Sequence, residues 1–357
     1  MPTASATLSP FSCRFSPAIA ELLCALDCSL ALSTYQAGKL ILLSPKPDGT
    51  GFYQYLRTFD RPMGIAVSDE LLAVATRDRV ELLANSRDLA PRYPKKPDTY
   101  DSLYIPRARF NTGQLDIHDI AFSSRGILAV NTLFSCIARI DATHSFVPVW
   151  QPPFIKDLVP DDCCHLNGMA IDSGGVPALV TALGSTDSRQ GWRQDLPSGG
   201  VLVDVKTGQT LASGLSMPHS PRIIGENIWL LQSGEGTLCR FESGKVETVA
   251  SLPGFARGFA VCGDHAFVGI SRLRPNHRFG HLPIAKIQPF CGVTVVHLPT
   301  GAIVGSLEFL TSCEEIYDVQ AIIGLGRPAI VRDDDPFCTS SLTLPGRTFL
   351  GEAPDAE

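Results

Sequence analysis

The feature that most constrains the fold of this sequence is a seven-residue sequence motif, here called the phrase, that recurs six times. Each copy leads into a short apolar run, and the copies begin at Arg61, Asp116, His165, Met217, Phe255 and Glu315. Their third residues are 38 to 60 residues apart, and most copies are followed by further strand-like segments bounded by turn residues. Repeats of about 40 to 50 residues with several strands each are typical of propeller blades. The repeat predicts an all-β fold, a six-bladed β-propeller, with seven blades as the alternative.

The sixth blade needs both ends of the chain. Too few residues follow the copy at Glu315 to build a whole blade, whereas three strand-like segments at 29–34, 39–44 and 52–59 have no inner strand of their own. We expect these parts to combine, because closure removes the open sheet edges. This gives a single propeller domain over residues 28–335, an N-terminal extension with a short helix over 1–27, and a C-terminal tail over 336–357.

Composition excludes several classes of protein. The 357 residues carry 30 basic and 36 acidic side chains, a net charge of -6, with no long basic run, which argues against nucleic-acid binding. No apolar run approaches the roughly 18 residues of a membrane span. The first 27 residues lack the basic and apolar regions of a signal peptide. The 11 cysteines are scattered without a CxxC pair, so we expect free thiols and a cytoplasmic location.

Three of the eight histidines are the first or the third residue of a copy of the phrase. His118 and His219 are third residues and His165 is a first residue, and residues two apart share one side of a strand. The three imidazoles should therefore converge at one mouth of the central channel. Three histidines with an open fourth position suit a divalent metal, zinc first, with manganese, iron, copper and calcium as alternatives. The competing interpretation is hydrogen-bonded histidines that fill a polar channel.

The same ring contains charged and aromatic side chains. Arg61, Arg257 and Arg222 are predicted to position an anionic group by bidentate hydrogen bonding, unless they pair with nearby acids. Tyr317 is predicted to transfer a proton, with an aromatic plug as the alternative. Five further side chains are predicted to contact the substrate: Asn167, Asp116, Glu315, Trp192 and Arg193. Asn167 is also the substitute metal ligand if His165 turns away.

Six short segments resemble a family of conserved hypothetical proteins that are sometimes labelled tetratricopeptide-associated. The segments are Ile117–Phe122, Asn131–Cys136, Cys164–Gly168, Gly191–Arg193, Met217–Arg222 and Pro253–Gly258. The resemblance covers about residues 30 to 330 and implies membership without a known activity.

A second resemblance concerns the site alone. The peptidylglycine amidating lyases are six-bladed propellers that hold zinc in the channel with three histidines, beside a tyrosine and arginines. That resemblance implies similar parts for His118, His165, His219 and Tyr317, together with Arg61 and Arg257. Propellers of the lactonase type hold calcium with Glu, Asn and Asp. Glu315 and Asn167 fit that pattern, whereas the histidines depart from it.

These observations lead to two hypotheses of different class. The first is a metal-dependent propeller enzyme, a lyase or hydrolase, that acts on a small or peptidic polar or anionic substrate in the channel. No phosphate-binding glycine loop, HExxH or GxSxG motif points to another chemistry. The alternative is a non-catalytic propeller that binds a protein or glycan through its face loops, with Tyr93–Tyr104 and His277–Pro289 as the candidate surfaces.

Overall fold

The structure is a computed structural model that describes residues 8–273, 283–286 and 290–351 of the chain. Its strands begin with β1 (Cys13–Phe15), and a short helix α1 (Pro17–Ala25) follows. Pro17 occupies the first turn of α1, where its missing N–H is tolerated, and Ile19, Ala20 and Leu23 form the buried face. The next three strands are β2 (Cys28–Thr34), β3 (Lys39–Pro45) and β4 (Phe52–Thr58).

Five four-stranded units then follow in chain order, each running from the channel outward. Blade 1 contains β5 (Ile65–Val67), β6 (Leu71–Ala75), β7 (Arg79–Ser86) and β8 (Ser102–Asn111). Blade 2 contains β9 (Ile117–Ser123), β10 (Gly126–Asn131), β11 (Cys136–Arg139) and β12 (Val147–Trp150). Blade 3 contains β13 (Leu166–Ile171), β14 (Pro177–Ala182), β15 (Gly200–Asp204) and β16 (Thr210–Leu215). Blade 4 contains β17 (Pro218–Ile224), β18 (Asn227–Gln232), β19 (Thr237–Glu242) and β20 (Lys245–Ser251). Blade 5 contains β21 (Phe255–Cys262), β22 (His265–Ser271), β23 (Gly292–His297) and β24 (Ala302–Phe309).

Blade 6 is formed from both ends of the chain, as predicted. Its inner strand is β25 (Asp318–Ile323), which pairs antiparallel with β2, and β3 and β4 continue the sheet outward. The register places Leu30 opposite Ala321 and Leu32 opposite Val319. The six inner strands contact one another in the closed cycle β5, β9, β13, β17, β21, β25 and back to β5. The described residues therefore form a closed six-bladed propeller.

The hydrophobic core is divided into clusters between neighbouring blades. Ile65, Leu72 and Val74 of blade 1 pack on Leu40 and Leu42 of blade 6, and comparable clusters lie between the other neighbours. Strands of this kind bury both faces and are apolar on both, which is why the phrases read as short continuous apolar runs.

The terminal segments extend the propeller. β1 pairs antiparallel with β24 as a fifth strand of blade 5, and β26 (Pro328–Ile330) pairs parallel with β8 as a fifth strand of blade 1. Helix α2 (Pro336–Ser340) and the hairpin of β27 (Ser341–Leu344) and β28 (Arg347–Leu350) follow. Short 3₁₀ helices lie at Ala90–Arg92, Gly191–Gln194 and Pro283–Lys286. None of the helices in the described ranges has the length and apolarity needed to cross a membrane.

The two face segments predicted as partner surfaces have different outcomes. Tyr93 and Tyr100 of the first segment turn inward, since Tyr93 packs on Phe337 with ring centroids 5.2 Å apart and donates a hydrogen bond to Asp335. Tyr104 is fully buried. Most of the second segment, His277–Pro289, lies outside the described residues.

Candidate functional site

The first residue of the phrase has an unusual backbone conformation in four of the six copies. Arg61, Asp116, His165 and Met217 all have φ between 50° and 53°, in the left-handed region that non-glycine residues rarely adopt. Such strain persists only where the surrounding structure enforces it, and it is concentrated at functional sites. The chain turns sharply at each of these four residues, just before the inner strand of the blade begins. The four residues therefore lie at one mouth of the channel.

His118 is held by a network that fixes its tautomer. Its Nδ1 lies 2.9 Å from the carbonyl oxygen of Asp116 and 2.9 Å from the hydroxyl of Thr132. Thr132 donates its own proton to the carbonyl of Leu166 on the next blade at 2.6 Å. Because both neighbours of Nδ1 act as acceptors, Nδ1 carries the proton and Nε2 keeps its lone pair.

His219 repeats this arrangement on blade 4. Its Nδ1 lies 2.9 Å from the carbonyl oxygen of Met217 and 2.9 Å from the hydroxyl of Ser233, which donates to the carbonyl of Ala256 on blade 5 at 2.5 Å. In both copies the hydroxyl follows the histidine by 14 residues. The repeat thus builds two imidazoles with the same orientation and the same available Nε2.

Blades 3 and 5 use the same hydroxyl position without a histidine. Thr181 follows Asn167 by 14 residues and donates to its Oδ1 at 2.8 Å, and the Asn167 amide donates to the carbonyl of Pro218 at 3.0 Å. Ser271 donates to the carbonyl of Ile316 at 3.0 Å. Asn167, predicted to bind substrate or to replace a metal ligand, is therefore held within blade 3 through its amide oxygen and linked to blade 4 through its amide nitrogen.

His165 is oriented by a carboxylate instead of a hydroxyl. Its Nδ1 lies 3.1 and 3.2 Å from the two oxygens of Asp162. The indole N–H of Trp192 donates to Asp162 Oδ2 at 3.0 Å. Asp162 and Trp192 are both buried, with exposed fractions of 8% and 3%. A buried carboxylate on Nδ1 fixes the tautomer, leaves the Nε2 lone pair for chemistry, and stabilises the imidazolium after proton uptake.

The structure brings most of the predicted ring together. The His118 and His165 ring centroids are 4.7 Å apart, and the Tyr317 ring is 5.7 Å from that of His118. The Arg257 guanidinium lies 3.6 Å from the centre of the Tyr317 ring. Tyr35 stacks on the other side of Tyr317 at 5.8 Å. Two imidazoles, a phenol and a guanidinium thus form one contiguous cluster.

Burial determines the protonation of three of these groups. Desolvation lowers the pKa of His118 to about 3, and desolvation together with the charge of Arg257 lowers the pKa of His219 well below its usual value. Both imidazoles are therefore neutral near pH 7. Desolvation raises the pKa of Tyr317, so this side chain is a proton donor rather than a base. Its hydroxyl is buried with no hydrogen-bond partner among the described residues.

A chamber of about 200 Å³ opens beside this cluster. Its polar lining includes His165, His219, Arg257, Arg272 and Glu315. Its apolar lining is Leu183, Trp192, Met217, Phe255 and Leu273. We call this cavity the histidine chamber.

Three of the other predicted residues are exposed and do not line the chamber, whereas Glu315 does. Arg61 is exposed and donates to the Tyr35 hydroxyl at 3.4 Å. Arg193 is exposed and stacks on Trp192, with its guanidinium 4.2 Å from the ring centre. Asp116 is exposed, and its carboxylate is 3.7 Å from His118 Nδ1. Glu315 Oε1 is 3.8 Å from Arg257 Nη1.

Arg222 was grouped with the histidines from sequence, but it lines a different cavity. It belongs to a chamber of about 240 Å³ formed by later residues of the phrases, which also includes Asp119, Gln320 and several apolar side chains. Its guanidinium lies 3.6 Å from Asp119 and 3.8 Å from Asp318. Desolvation raises the pKa of Asp318 to about 6 and also raises that of Asp119. Arg222 thus compensates two buried carboxylates and is not available to the histidine chamber.

The fourth residues of the phrases form a narrow waist between the two chambers. They alternate around the ring as Gly64, Asp119, Gly168, Ser220, Gly258 and Asp318. A Cβ on Gly64 would lie 2.8 Å from Asp119 Cα, and one on Gly258 would lie 2.5 Å from Asp318 Cα. The polar members reach the next blade instead, as Asp119, Ser220 and Asp318 accept hydrogen bonds from the backbone N–H groups of Met169, Gly258 and Ile65.

The structure has one feature that suits the metal predicted at His118, His165 and His219 and one that does not. Each imidazole has its Nδ1 engaged by a carbonyl or carboxylate, as metal-bound histidines commonly do. In the described part of the chain, however, no three or more His, Cys, Asp and Glu side chains form a group that could hold a metal ion. We therefore derive no chemical step through a metal, and the metal stays a prediction.

Sequence reasoning missed Asp162, Thr132 and Ser233. Asp162 precedes the phrase, and only the fold brings it to His165. The two hydroxyls carried a visible signal, since Thr132, Thr181, Ser233 and Ser271 recur at one interval after the phrase.

Known structures with this shape share little sequence with the chain. A chain in the crystal structure of a nidogen–laminin complex aligns with a TM-score of 0.54 at 11% identity, covering 83% of this chain and 99% of that chain. A gluconolactonase from Xanthomonas campestris aligns with a TM-score of 0.45 at 14% identity, covering 80% and 86%. The PQQ-bound aldose sugar dehydrogenase from Streptomyces coelicolor aligns with a TM-score of 0.44 at 12% identity, covering 78% and 90%.

Sequence comparison gives a family but no activity. No curated protein matches the sequence. Residues 17–331 match the family described as a domain of unknown function, DUF4915. That match spans most of the chain and includes all six phrases, so the protein belongs to the DUF4915 family.

Proposed function

We propose that the histidine chamber is the active site of a hydrolase or lyase that acts on a small anionic substrate. The observation that carries the proposal is the pairing of His165 with the buried carboxylate of Asp162 beside a chamber that also contains Arg257. An imidazole that merely fills a channel does not need a buried anion, because a backbone carbonyl satisfies Nδ1 equally well in His118 and His219.

The proposed chemistry assigns one role to each group. His165 Nε2 takes a proton from water or from substrate carbon, and Asp162 stabilises the resulting imidazolium. Trp192 holds Asp162 in place. Tyr317, which remains protonated, donates a hydrogen bond to a developing negative charge. Arg257 positions the anionic group of the substrate.

The histidines of blades 2 and 4 support this chemistry as neutral acceptors. With Nδ1 protonated, the Nε2 atoms of His118 and His219 accept hydrogen bonds from a substrate hydroxyl or from the attacking water. The site similarity to amidating lyases, with three histidines, a tyrosine and arginines, agrees with this assignment in residue type. It stays part of the proposal.

Activity of matched variants tests the proposal. A panel of carboxylate-bearing esters, lactones, amides and β-substituted acids is incubated with the wild-type protein, H165Q and D162N. We expect both variants to lose about 10²- to 10⁴-fold in rate. H144Q is the matched control, because His144 also follows an aspartate by three residues and lies 3.6 Å from it, but it is exposed. Wild-type activity in H165Q would refute the proposed role of His165.

The predicted metal has its own test. If His118, His165 and His219 hold a divalent ion, elemental analysis of mildly purified protein should find close to one equivalent. Added zinc should then raise the melting temperature of the wild-type protein but not that of H118A. A metal-free protein whose melting temperature does not respond to zinc, manganese, iron, copper or calcium rejects the metal and leaves the acid–base proposal intact.

A further inference from the structure

Part of the lining of the histidine chamber is apolar. Leu183, Trp192 and Met217 are each at most 3% exposed and form a cluster with Ile284, against which Phe255 and Leu273 pack. These side chains line the chamber together with its charged residues. A ligand that is polar throughout would leave these apolar side chains in contact with water or with polar atoms. A ligand with an apolar group is therefore expected to bind here more favourably.

The polar part of the chamber lining carries an excess of positive charge. Arg257 and Arg272 both line the chamber, whereas Glu315 is the single carboxylate among the described lining residues. His219, which also lines the chamber, is neutral because burial and Arg257 lower its pKa. Two guanidiniums that face one carboxylate favour an anionic ligand, and a guanidinium binds a carboxylate with paired hydrogen bonds.

Two buried donors, one on a lining residue and one next to a lining residue, have no acceptor among the described residues. Arg272 donates from Nη2 to the carbonyl of Phe309 at 3.0 Å, but its Nε is buried without a partner in the described residues. The Tyr317 hydroxyl is also buried without one, and the ring of Tyr317 stacks on the guanidinium of the lining residue Arg257. Buried donors are nearly always satisfied in folded proteins, so an acceptor on a bound ligand would complete the hydrogen bonding of Arg272, which lines the chamber.

We infer that the histidine chamber binds a carboxylic acid with a compact apolar substituent, and this inference rests on the proposed function. The carboxylate lies against Arg257 and Arg272. The apolar substituent lies against Met217, Phe255 and Leu273. His165 lines the same chamber, and in the proposed complex its Nε2 contacts the atoms that join these two ends. A volume of about 200 Å³ limits the ligand to a small molecule or one terminal residue of a longer one.

A series of simple carboxylates tests the inference. Binding of acetate, butanoate, hexanoate and octanoate is measured by calorimetry on H165Q, which keeps the chamber but lacks the proposed catalytic base. We expect affinity to rise about fourfold for each added methylene until the chamber is full. Hexanamide, which has the same shape without the charge, should bind at least about tenfold more weakly than hexanoate.

Variants test the contributions of the polar and the apolar lining residues separately. R272Q and R257Q should each lower hexanoate affinity about tenfold or more, whereas R189Q, which changes an arginine whose side chain is 80% exposed, should not. L273S should flatten the dependence on chain length while leaving acetate binding unchanged. Equal binding of hexanoate, acetate and hexanamide would overturn the inference, as would an R272Q and R257Q response equal to that of R189Q.

The two proposals fail in distinguishable ways. If H165Q binds hexanoate with the expected pattern but the wild-type protein turns over no member of the substrate panel, the acid–base proposal fails and the binding inference holds. If the protein turns over an uncharged substrate through His165 and binds no carboxylate, the inference fails and the acid–base proposal holds.

Discussion

Arg222 is predicted to be the side chain on which the stability of the waist depends most. Its guanidinium reaches from blade 4 to Asp119 of blade 2 and Asp318 of blade 6. The side chains of the two aspartates are 10% and 6% exposed. Replacing Arg222 with methionine keeps most of the side-chain volume and leaves both carboxylates buried without a counter-charge. Removing one partner of a buried ion pair costs about 3 to 5 kcal/mol.

The lower end of that range applies here. The distances of 3.6 and 3.8 Å are long for ion pairs, and both aspartates keep hydrogen bonds from backbone N–H groups. With an unfolding entropy of about 2.1 cal/mol/K per residue, the 357-residue chain has about 0.75 kcal/mol/K in total. A loss of about 3 kcal/mol therefore lowers the melting temperature of R222M by about 4 °C.

The deficit of R222M should depend on pH. Burial raises the pKa of Asp318 to about 6 and raises that of Asp119 in the folded protein, above the values of the unfolded chain near 3.8. A carboxyl whose folded pKa is raised destabilises the fold as pH rises through that pKa, and the penalty is absent below the unfolded value. Losing the arginine raises both folded values further. The deficit should therefore be larger at pH 8 than at pH 5.

Thermal unfolding at pH 5 and pH 8 measures both effects. The triple variant R222M, D119N and D318N should recover much of the lost stability, because a neutral replacement of a whole buried ionic cluster is tolerated far better than loss of one member. R332M is the control, since Arg332 forms an exposed pair with Asp334. The reasoning is wrong if R222M unfolds within a degree of R332M at pH 8, or if its deficit is the same at both pH values.

Three further predictions concern the waist and the histidines. Gly258→Ala should destabilise the protein far more than Gly113→Ala in thermal unfolding. The two glycines have similar φ values of 68° and 74°, but only at Gly258 would an added Cβ meet backbone, 2.5 Å from Asp318 Cα. Equal losses of stability would disprove the close contact. Thr132→Val should cost about 1 to 3 kcal/mol in denaturant unfolding, since the carbonyl of Leu166 and Nδ1 of His118 both lose a partner, and a neutral result would rule out the network. The ring signals of His118 in NMR should show no titration between pH 5 and 8, because burial lowers its pKa to about 3; a transition within that window, absent in H118Q, would contradict the buried neutral imidazole.

The fold was predictable from the repeat because every blade must solve the same packing problem. An apolar inner strand, a second strand and turn residues recur wherever a blade meets its neighbour, and the closing of blade 6 follows from counting strands at the two ends. The additions of β1 to blade 5 and of β26 to blade 1 were not predicted. Each of these strands is three residues long, too short for a periodic pattern to distinguish it from a loop.

The site was predicted only in part because the rule behind it applies to one of the two positions used. Third residues of the phrase belong to strands or adjoin them, and His118, Arg257 and Tyr317 do converge. First residues were assumed to share their face by strand alternation. Arg61 and His165 instead have left-handed backbone conformations, so alternation does not extend to them. Arg61 is exposed and does not line the chamber, whereas His165 lines it and is held there by Asp162.

The alternation that does organise the channel lies at the fourth position and runs from blade to blade. Gly64, Gly168 and Gly258 allow blades 1, 3 and 5 to approach blades 2, 4 and 6 until backbone meets backbone or proline ring. Across the other three junctions, a polar side chain at the same position accepts a backbone N–H from the next blade. The propeller is therefore built as three close pairs of blades joined by three hydrogen-bonded contacts. Two of those contacts use the aspartates that Arg222 compensates, so the charge that stabilises the waist also explains why this arginine is unavailable to a ligand on the other side.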